Sequence, residues 1–277
     1  MKIIEKLKRA KQYIFHGIPN NIVRVVYAKT EYGKRLEGKK VLITGGSKGI
    51  GLAISKRLIE EGAIVTVTSR DIKNLEMTKK EIDSDKYFMI EHDIRRIDEA
   101  QGMIYQARKL MGGIDVLINN AGVSVHDITC QTCSEEEWDY QIDTNLKGTY
   151  FVTQAFLHYY EEVKKSNGKI INMVSERGLC GDDVPYGLSK RALISFTEGL
   201  AVKLIRKGIR VYAVAPGVTA TDMTGHDPNG DLYRKYAKGR RILLPEEIAE
   251  VVTFLISDSS NCISGQVLVC NEANHLN

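Results

Sequence analysis

The chain reads as an α/β protein built on a doubly wound, seven-stranded parallel sheet with helices on both faces. Two observations lead there. Short apolar runs rich in Val and Ile alternate with longer stretches of helical periodicity, the pattern of parallel strands joined by crossover helices. Gly62, Gly113, Gly168 and Gly208 fall where helical patterns give way to the next apolar run, as helix ends favour. The 277 residues, 43% of them hydrophobic, suffice for one substantial core.

Taken in order, strands are expected at Val41–Thr44, Ile64–Ser69, Tyr87–Glu91, Val116–Asn119, Lys169–Val174, Arg210–Ala215 and Gln266–Cys270, each a short apolar run. Helices fill the intervals at Ile50–Glu61, Ile72–Ile82, Ile97–Met111, Glu135–Lys165, Tyr186–Lys207 and Pro245–Ser257. Asp71 stands where it can cap the second of these. Ligands of such sheets sit at the carboxyl ends of the strands. Gly45, Asn119, Ser175 and Pro216 all follow strands at once and therefore converge on one rim.

Two features of that rim carry chemistry. Between the first strand and helix lies Thr44-Gly45-Gly46-Ser47-Lys48-Gly49-Ile50-Gly51. Glycines let backbone approach a diphosphate closely, and the first helical turn offers free N–H groups and the positive dipole end. The second feature is Tyr186-Gly187-Leu188-Ser189-Lys190, eleven residues after Ser175. On a helix, residues four apart share a face, so the Lys190 ammonium can lie beside the Tyr186 phenol. An adjacent cation favours phenolate, which would tune Tyr186 toward neutral pH as an acid or base.

With Asn119-Asn120-Ala121-Gly122, Asn145 in Asp143-Thr144-Asn145-Leu146-Lys147-Gly148, and Pro216-Gly217-Val218-Thr219, these pieces stand in one order across residues 39 to about 270. In this the chain resembles the short-chain dehydrogenase/reductase family in its shorter form. The resemblance implies a Rossmann-like fold and hydride transfer between a nicotinamide dinucleotide and a carbonyl or alcohol. It assigns proton transfer to Tyr186, substrate orientation to Ser175, the nicotinamide ribose to Lys190, and a proton-relay water to Asn145. Cofactor contacts carry over to Gly45, Ser47, Lys48, Gly49, Ile50 and Gly51 of the turn, and to Asp93 and Ile94 near the adenine. They also carry over to Asn119, Ala121 and Gly122, and to Pro216, Gly217, Val218 and Thr219.

Cofactor preference follows from charge. NAD sites place a carboxylate at the end of the second strand, whereas NADP sites place cations there for the extra phosphate. Here the strand ends Thr68-Ser69-Arg70, and Arg70 with Lys48 can meet a 2′-phosphate. NADP(H) is expected ahead of NAD(H).

The chain departs from the family pattern in three places. Only ten residues separate Ser175 from Tyr186, and Glu176-Arg177 follow Ser175 directly, so the pocket wall must be reshaped. The polar stretch from Thr219 to Leu244, with His226, is expected to form a lid. Asn271-Glu272-Ala273 replaces the family's acid followed by two glycines.

The first forty residues hold eleven Lys or Arg and three Glu, a net of +8 that leaves −4 for the rest. Ile3, Leu7, Ala10 and Ile14 share a helical stripe, so residues 1–37 read as a basic amphipathic extension ahead of a catalytic domain at 38–277. Packing against a neighbouring subunit, weak contact with an anionic membrane surface and a flexible tail all remain open for it. No apolar stretch reaches bilayer length. Five cysteines without a secretory leader point to a reducing, cytoplasmic setting. Cys130 and Cys133 lack a second Cys or His pair, so no metal site is expected. No nucleic-acid motif accompanies the basic excess. The expected partners are a small carbonyl or alcohol substrate and further copies of the chain, as a homodimer or homotetramer. Two other readings are a non-catalytic dinucleotide-binding regulator and a sugar-nucleotide epimerase or dehydratase.

Overall fold

The computed structural model describes residues 33–276. Seven strands form one parallel sheet in the order β3-β2-β1-β4-β5-β6-β7: β1 Lys40–Thr44, β2 Ile64–Ser69, β3 Tyr87–Glu91, β4 Val116–Asn119, β5 Lys169–Met173, β6 Arg210–Pro216 and β7 Val267–Cys270. The helices are α1 Gly49–Glu60, α2 Ile72–Ile82, α3 Ala100–Met111, α4 Glu135–Ile142, α5 Thr149–Glu162, α6 Pro185–Leu204 and α7 Pro245–Ile256. Strand order reverses at β1, whose neighbours are β2 and β4. A ligand crevice belongs at that reversal.

Strand alternation explains why both faces of the sheet are apolar. Val41 and Ile43 pack with Val65, Val67 and Tyr212 under α1 and α7, through Ile54, Leu58 and Val252. Leu42 points the other way, with Leu117, Ile170 and Val211, under α3 and α5 through Ile104 and Phe156. All of these are at or near zero exposure. Each buried side chain of this size contributes about 1.5–3 kcal/mol.

Three expected elements take a different form. The long helix expected over Glu135–Lys165 is broken by a π-helix at Asp143–Gly148, between α4 and α5. The wider turn turns Asn145 fully inward, and Gly148 lies so close to Ile94 that a Cβ would stand 2.6 Å from its carbonyl oxygen. The helix expected to begin at Ile97 opens as a 3-10 turn before α3. The stretch from Thr219 to Leu244 is tied down at both ends. Thr219 bridges Leu243, and Ala220, Leu232, Ile242 and Leu244 form a small apolar cluster with Val218.

The basic extension lies outside the described residues up to position 32. Its last part already belongs to the folded domain. Leu36 is fully buried in the α1/α7 core, and Arg35 pairs with Glu61 at 2.9 Å. No helix among the described residues is long and apolar enough to cross a membrane.

Glu272 and Ala273 take φ of 49° and 64°, in the left-handed region where side chains cost energy and the family has glycines. Compensating contacts hold Glu272 and the neighbouring Asn271. Arg241 holds Glu272 at 2.6 Å and Glu247 at 2.7 Å, while Asn271 donates to Glu176 at 2.8 Å. The Ala273 methyl has no such compensation. Ala273→Gly should therefore raise stability by about 0.5–1 kcal/mol, the left-handed strain exceeding the entropy of the added glycine. Chemical denaturation would check this, and a loss of stability would contradict it.

Candidate active site

The glycine turn is shaped by close approach. Gly45 and Gly49 take φ of +67° and +54°, and a Cβ on Gly45 would stand 2.8 Å from Ala121 Cα. On Gly51 it would stand 2.3 Å from the Gly45 oxygen. Thr44 fastens this turn to the end of β4, its hydroxyl accepting from the Asn120 and Ala121 backbone N–H groups at 3.1 Å each. The Asn120 amide completes the joint by donating to the Gly45 oxygen at 2.7 Å. No side chain caps α1, and no acidic residue lies in its first turn. Its N–H groups and dipole therefore remain available to an anion.

This turn forms one end of a cavity of about 440 Å³ that runs past Arg70, Asp93 and Gly122 to Tyr186 and Lys190. A dinucleotide fits what is there: a cradle that a Cβ would fill, an uncapped helix start, and cations at the end of β2. Arg70 donates to the Tyr140 hydroxyl at 3.0 Å and has no ion pair among the described residues. Asp71 is committed elsewhere, accepting from Asn74 N at 3.2 Å and Nδ2 at 2.7 Å as the cap of α2. Arg95 grips Asp93 through both carboxylate oxygens and holds its pKa below the usual range.

Of the residues expected to bind cofactor, all but Asn119, Gly217, Val218 and Thr219 line this cavity. Asn119 needs a correction. Strand alternation turns it toward α5, where its amide donates to Thr153 at 2.9 Å and Asn172 at 2.8 Å, and Asn120 takes the place at the turn. Val218 packs into the Ala220 cluster, and Thr219 bonds the Gly217 oxygen at 3.0 Å. Thr221 and Met223 line the cavity instead. Sequence reasoning also missed His92 and Tyr140. His92 is buried with its Nε2 unpartnered, and burial lowers its pKa. His226 is exposed and lies off the cavity.

The four expected catalytic residues come together at the far end. Lys190 is buried, donates to the Met173 oxygen at 3.0 Å and sits 5.6 Å from the Tyr186 ring centre. A Cβ on Gly122 would stand 3.3 Å from Lys190 Nζ and 3.4 Å from Asn145 Oδ1, so the two groups flank that glycine. Asn145 brackets Val123, accepting from its N–H at 2.8 Å and donating to its oxygen at 2.9 Å. The Ser175 hydroxyl accepts from Arg177 N at 3.2 Å and lies near enough to the Tyr186 phenol to oppose part of the rise in its pKa. Glu176 and Arg177, which follow Ser175, turn to separate partners: Asn271 and Asn274 hold Glu176, and Asp182 holds Arg177 through two bonds.

Comparison with known proteins decides the family. The family model described as short chain dehydrogenase matches residues 39–231. The chain belongs to the short-chain dehydrogenase/reductase family. A 3-oxoacyl-[acyl-carrier-protein] reductase of Thermotoga maritima is 38% identical over 84% of this chain and 96% of that protein. A 3-ketoacyl-(acyl-carrier-protein) reductase of Brucella melitensis complexed with NADH superposes at TM-score 0.80, with 27% identity over 87% of this chain and all of that one. ElxO with NADP bound superposes at TM-score 0.77, with 29% identity over 85% of this chain and 98% of that one. This dehydrogenase/reductase is thus an oxidoreductase that transfers a hydride between NADP(H) and a carbonyl or alcohol. The regulator and epimerase readings fall away.

The electrostatics of this dehydrogenase/reductase bear on the roles expected of Tyr186 and Lys190. Burial raises the Tyr186 pKa, and the Ser175 hydroxyl and Arg177 only partly oppose that. Lys190 donates to the Met173 carbonyl at 3.0 Å and sits 5.6 Å from the ring centre, and burial outweighs any lowering of the phenol's pKa. Burial also lowers Lys190 itself, to about 8. At neutral pH the phenol keeps its proton and the lysine remains largely charged. Raising pH through about 8 removes the lysine charge first. In the reductive direction kcat/KM for NADPH, which reports free-enzyme groups, should fall about tenfold per pH unit above that point. Steady-state rates from pH 6 to 10 check this, and a profile still flat at about pH 9.5 would contradict it.

Proposed function

We propose that Tyr186 gives its phenolic proton to the oxygen of a reducible carbonyl, with Ser175 orienting that oxygen, in the NADPH-dependent reduction of a 3-oxoacyl thioester. The observation that carries the roles is the meeting of the Tyr186 phenol, which keeps its proton, with the nearby Ser175 hydroxyl and the buried Lys190 at the end of the cavity lined by Tyr186 and Lys190. Bound NADPH supplies the hydride. As that bond forms, negative charge grows on the substrate oxygen, and donors already in place stabilise it without reorganisation. Tyr186 then releases its proton to this oxygen, and Lys190 beside the ring offsets the phenolate that remains. Asn145 holds Val123, and with it the wall facing Lys190. The thioester class is supported by relatives named as 3-oxoacyl-[acyl-carrier-protein] reductases and, at 34% identity, a (2S)-[(R)-hydroxy(phenyl)methyl]succinyl-CoA dehydrogenase subunit of Thauera aromatica.

The experiment is loss of NADPH absorbance with a panel of a 3-oxoacyl-CoA, a keto sugar and a cyclic ketone. Turnover is expected with the thioester, and turnover confined to the others would redirect the substrate class. Tyr186→Phe should lose about 10²- to 10⁴-fold in kcat, the range for general acid catalysis, while NADPH binding stays unchanged. Retained turnover would remove Tyr186 from its role.

Self-association is proposed through α5 and α6. Tyr150 is 45% exposed, and its ring packs on Phe196 at 5.1 Å, joining the two helices in one apolar surface. Tyr150→Glu should shift the particle toward monomer in analytical ultracentrifugation. An unchanged mass would speak for a different contact.

A further inference from the structure

The adenosine end of the cavity contains an arrangement that the hydride-transfer chemistry does not use. Tyr140, near the end of α4, presents its ring to two arginines. The Arg70 guanidinium lies 5.6 Å from the ring centre and that of Arg95 lies 5.7 Å away. Arg70 also donates from Nη2 to the Tyr140 hydroxyl at 3.0 Å. The two cations differ in what else they touch. Arg95 is neutralised by Asp93, whereas Arg70 has no carboxylate within ion-pair distance among the described residues.

A guanidinium has five N–H donors in a rigid fork. The bond to Tyr140 uses one and leaves the others free at the end of β2, where Ser69 stands in place of a carboxylate. Lys48, exposed in the glycine turn, lines the same cavity. An arginine on a strand end would otherwise sample many rotamers, and ordering it would weaken any ligand it binds. Stacking on an aromatic face and bonding to its hydroxyl removes that freedom beforehand. The Tyr140 backbone is anchored, because its carbonyl accepts from the Thr144 hydroxyl at 2.7 Å in the π-helix that carries Asn145.

We propose that Tyr140 is a positioning residue for cofactor choice: it holds Arg70 ready for a phosphate monoester on the adenosine ribose and so sets the preference for NADP(H) over NAD(H). The inference rests on the reading that Arg70 meets the 2′-phosphate. Binding of small probes separates the two. Calorimetric titration with 2′,5′-ADP and with 5′-AMP isolates the phosphate, independent of turnover. Tyr140→Phe should weaken 2′,5′-ADP by about three- to tenfold, a fraction of the worth of a hydrogen bond to a charged group because Tyr140 acts only through Arg70, and leave 5′-AMP unchanged. Tyr140→Ala should weaken it further. In turnover the KM for NADPH should rise with kcat kept. Made in an Arg70→Ala background, Tyr140→Phe should change neither probe. If Arg70→Ala lowers the 2′,5′-ADP preference and Tyr140→Phe does not, the proposal is overturned and the reading of Arg70 stands. If Arg70→Ala leaves the preference intact, both fall. An equal Tyr140→Phe effect with and without Arg70 would also overturn the proposal.

Discussion

The site depends on one joint, the Thr44 hydroxyl accepting two backbone N–H groups from the end of β4. The ends of adjacent parallel strands diverge unless something holds them, because their loops leave toward different helices. With Thr44 buried and bonded to Asn120 and Ala121, the glycine turn is pressed against residues 120–122, and only glycine fits at 45 and 51. The same contact sets Gly122 between Lys190 and Asn145. Phosphate cradle and proton-transfer end are thereby fixed by a single hydroxyl. A hydrogen bond of this kind has a net worth of only about 0.5–1.5 kcal/mol, so its importance here is geometric more than energetic.

Burial then decides the chemistry. The pairing of Tyr186 with Lys190 suggests a cation lowering the pKa of a phenol, yet desolvation acts on both groups in the direction of neutrality. In the ligand-free protein the phenol is an acid that keeps its proton, which suits donation to a developing oxyanion. A group that already held phenolate would have nothing to give in that direction. The carbonyl of Met173 anchors the Lys190 ammonium, so the charge is held at a fixed distance from the ring.

Much of this was legible in the sequence. The Val- and Ile-rich runs give the strands to within a residue or so, because a sheet buried on both faces tolerates little else. The Tyr186 and Lys190 spacing survives because one helix carries both. What escaped was long-range. Asn119 ends β4 and Asn120 follows it, and only the register of that strand tells which one faces the turn. The π-helix at 143–148 follows from packing Gly148 on Ile94, and a helical period alone cannot reveal it. Tyr140 meets Arg70 across seventy residues of chain, with no local pattern to announce it.

The π-helix also gives the two ends of the cavity a common support. α4 delivers Tyr140 to the adenosine side, and within five residues the widened turn delivers Asn145 to Val123 and Ser189 on the reaction side. A regular helix would advance 100° per residue and could not turn both side chains inward over so short a span while burying Thr149 and Val152 in the core. The local cost of irregular hydrogen bonding is offset by Asn145, whose amide makes three bonds in full burial. Removing that amide would leave the half-buried Val123 backbone without these partners at the cavity wall and release the turn toward regular geometry. Damage at Asn145 would therefore reach the nucleotide end through α4 as well as the proton-transfer end.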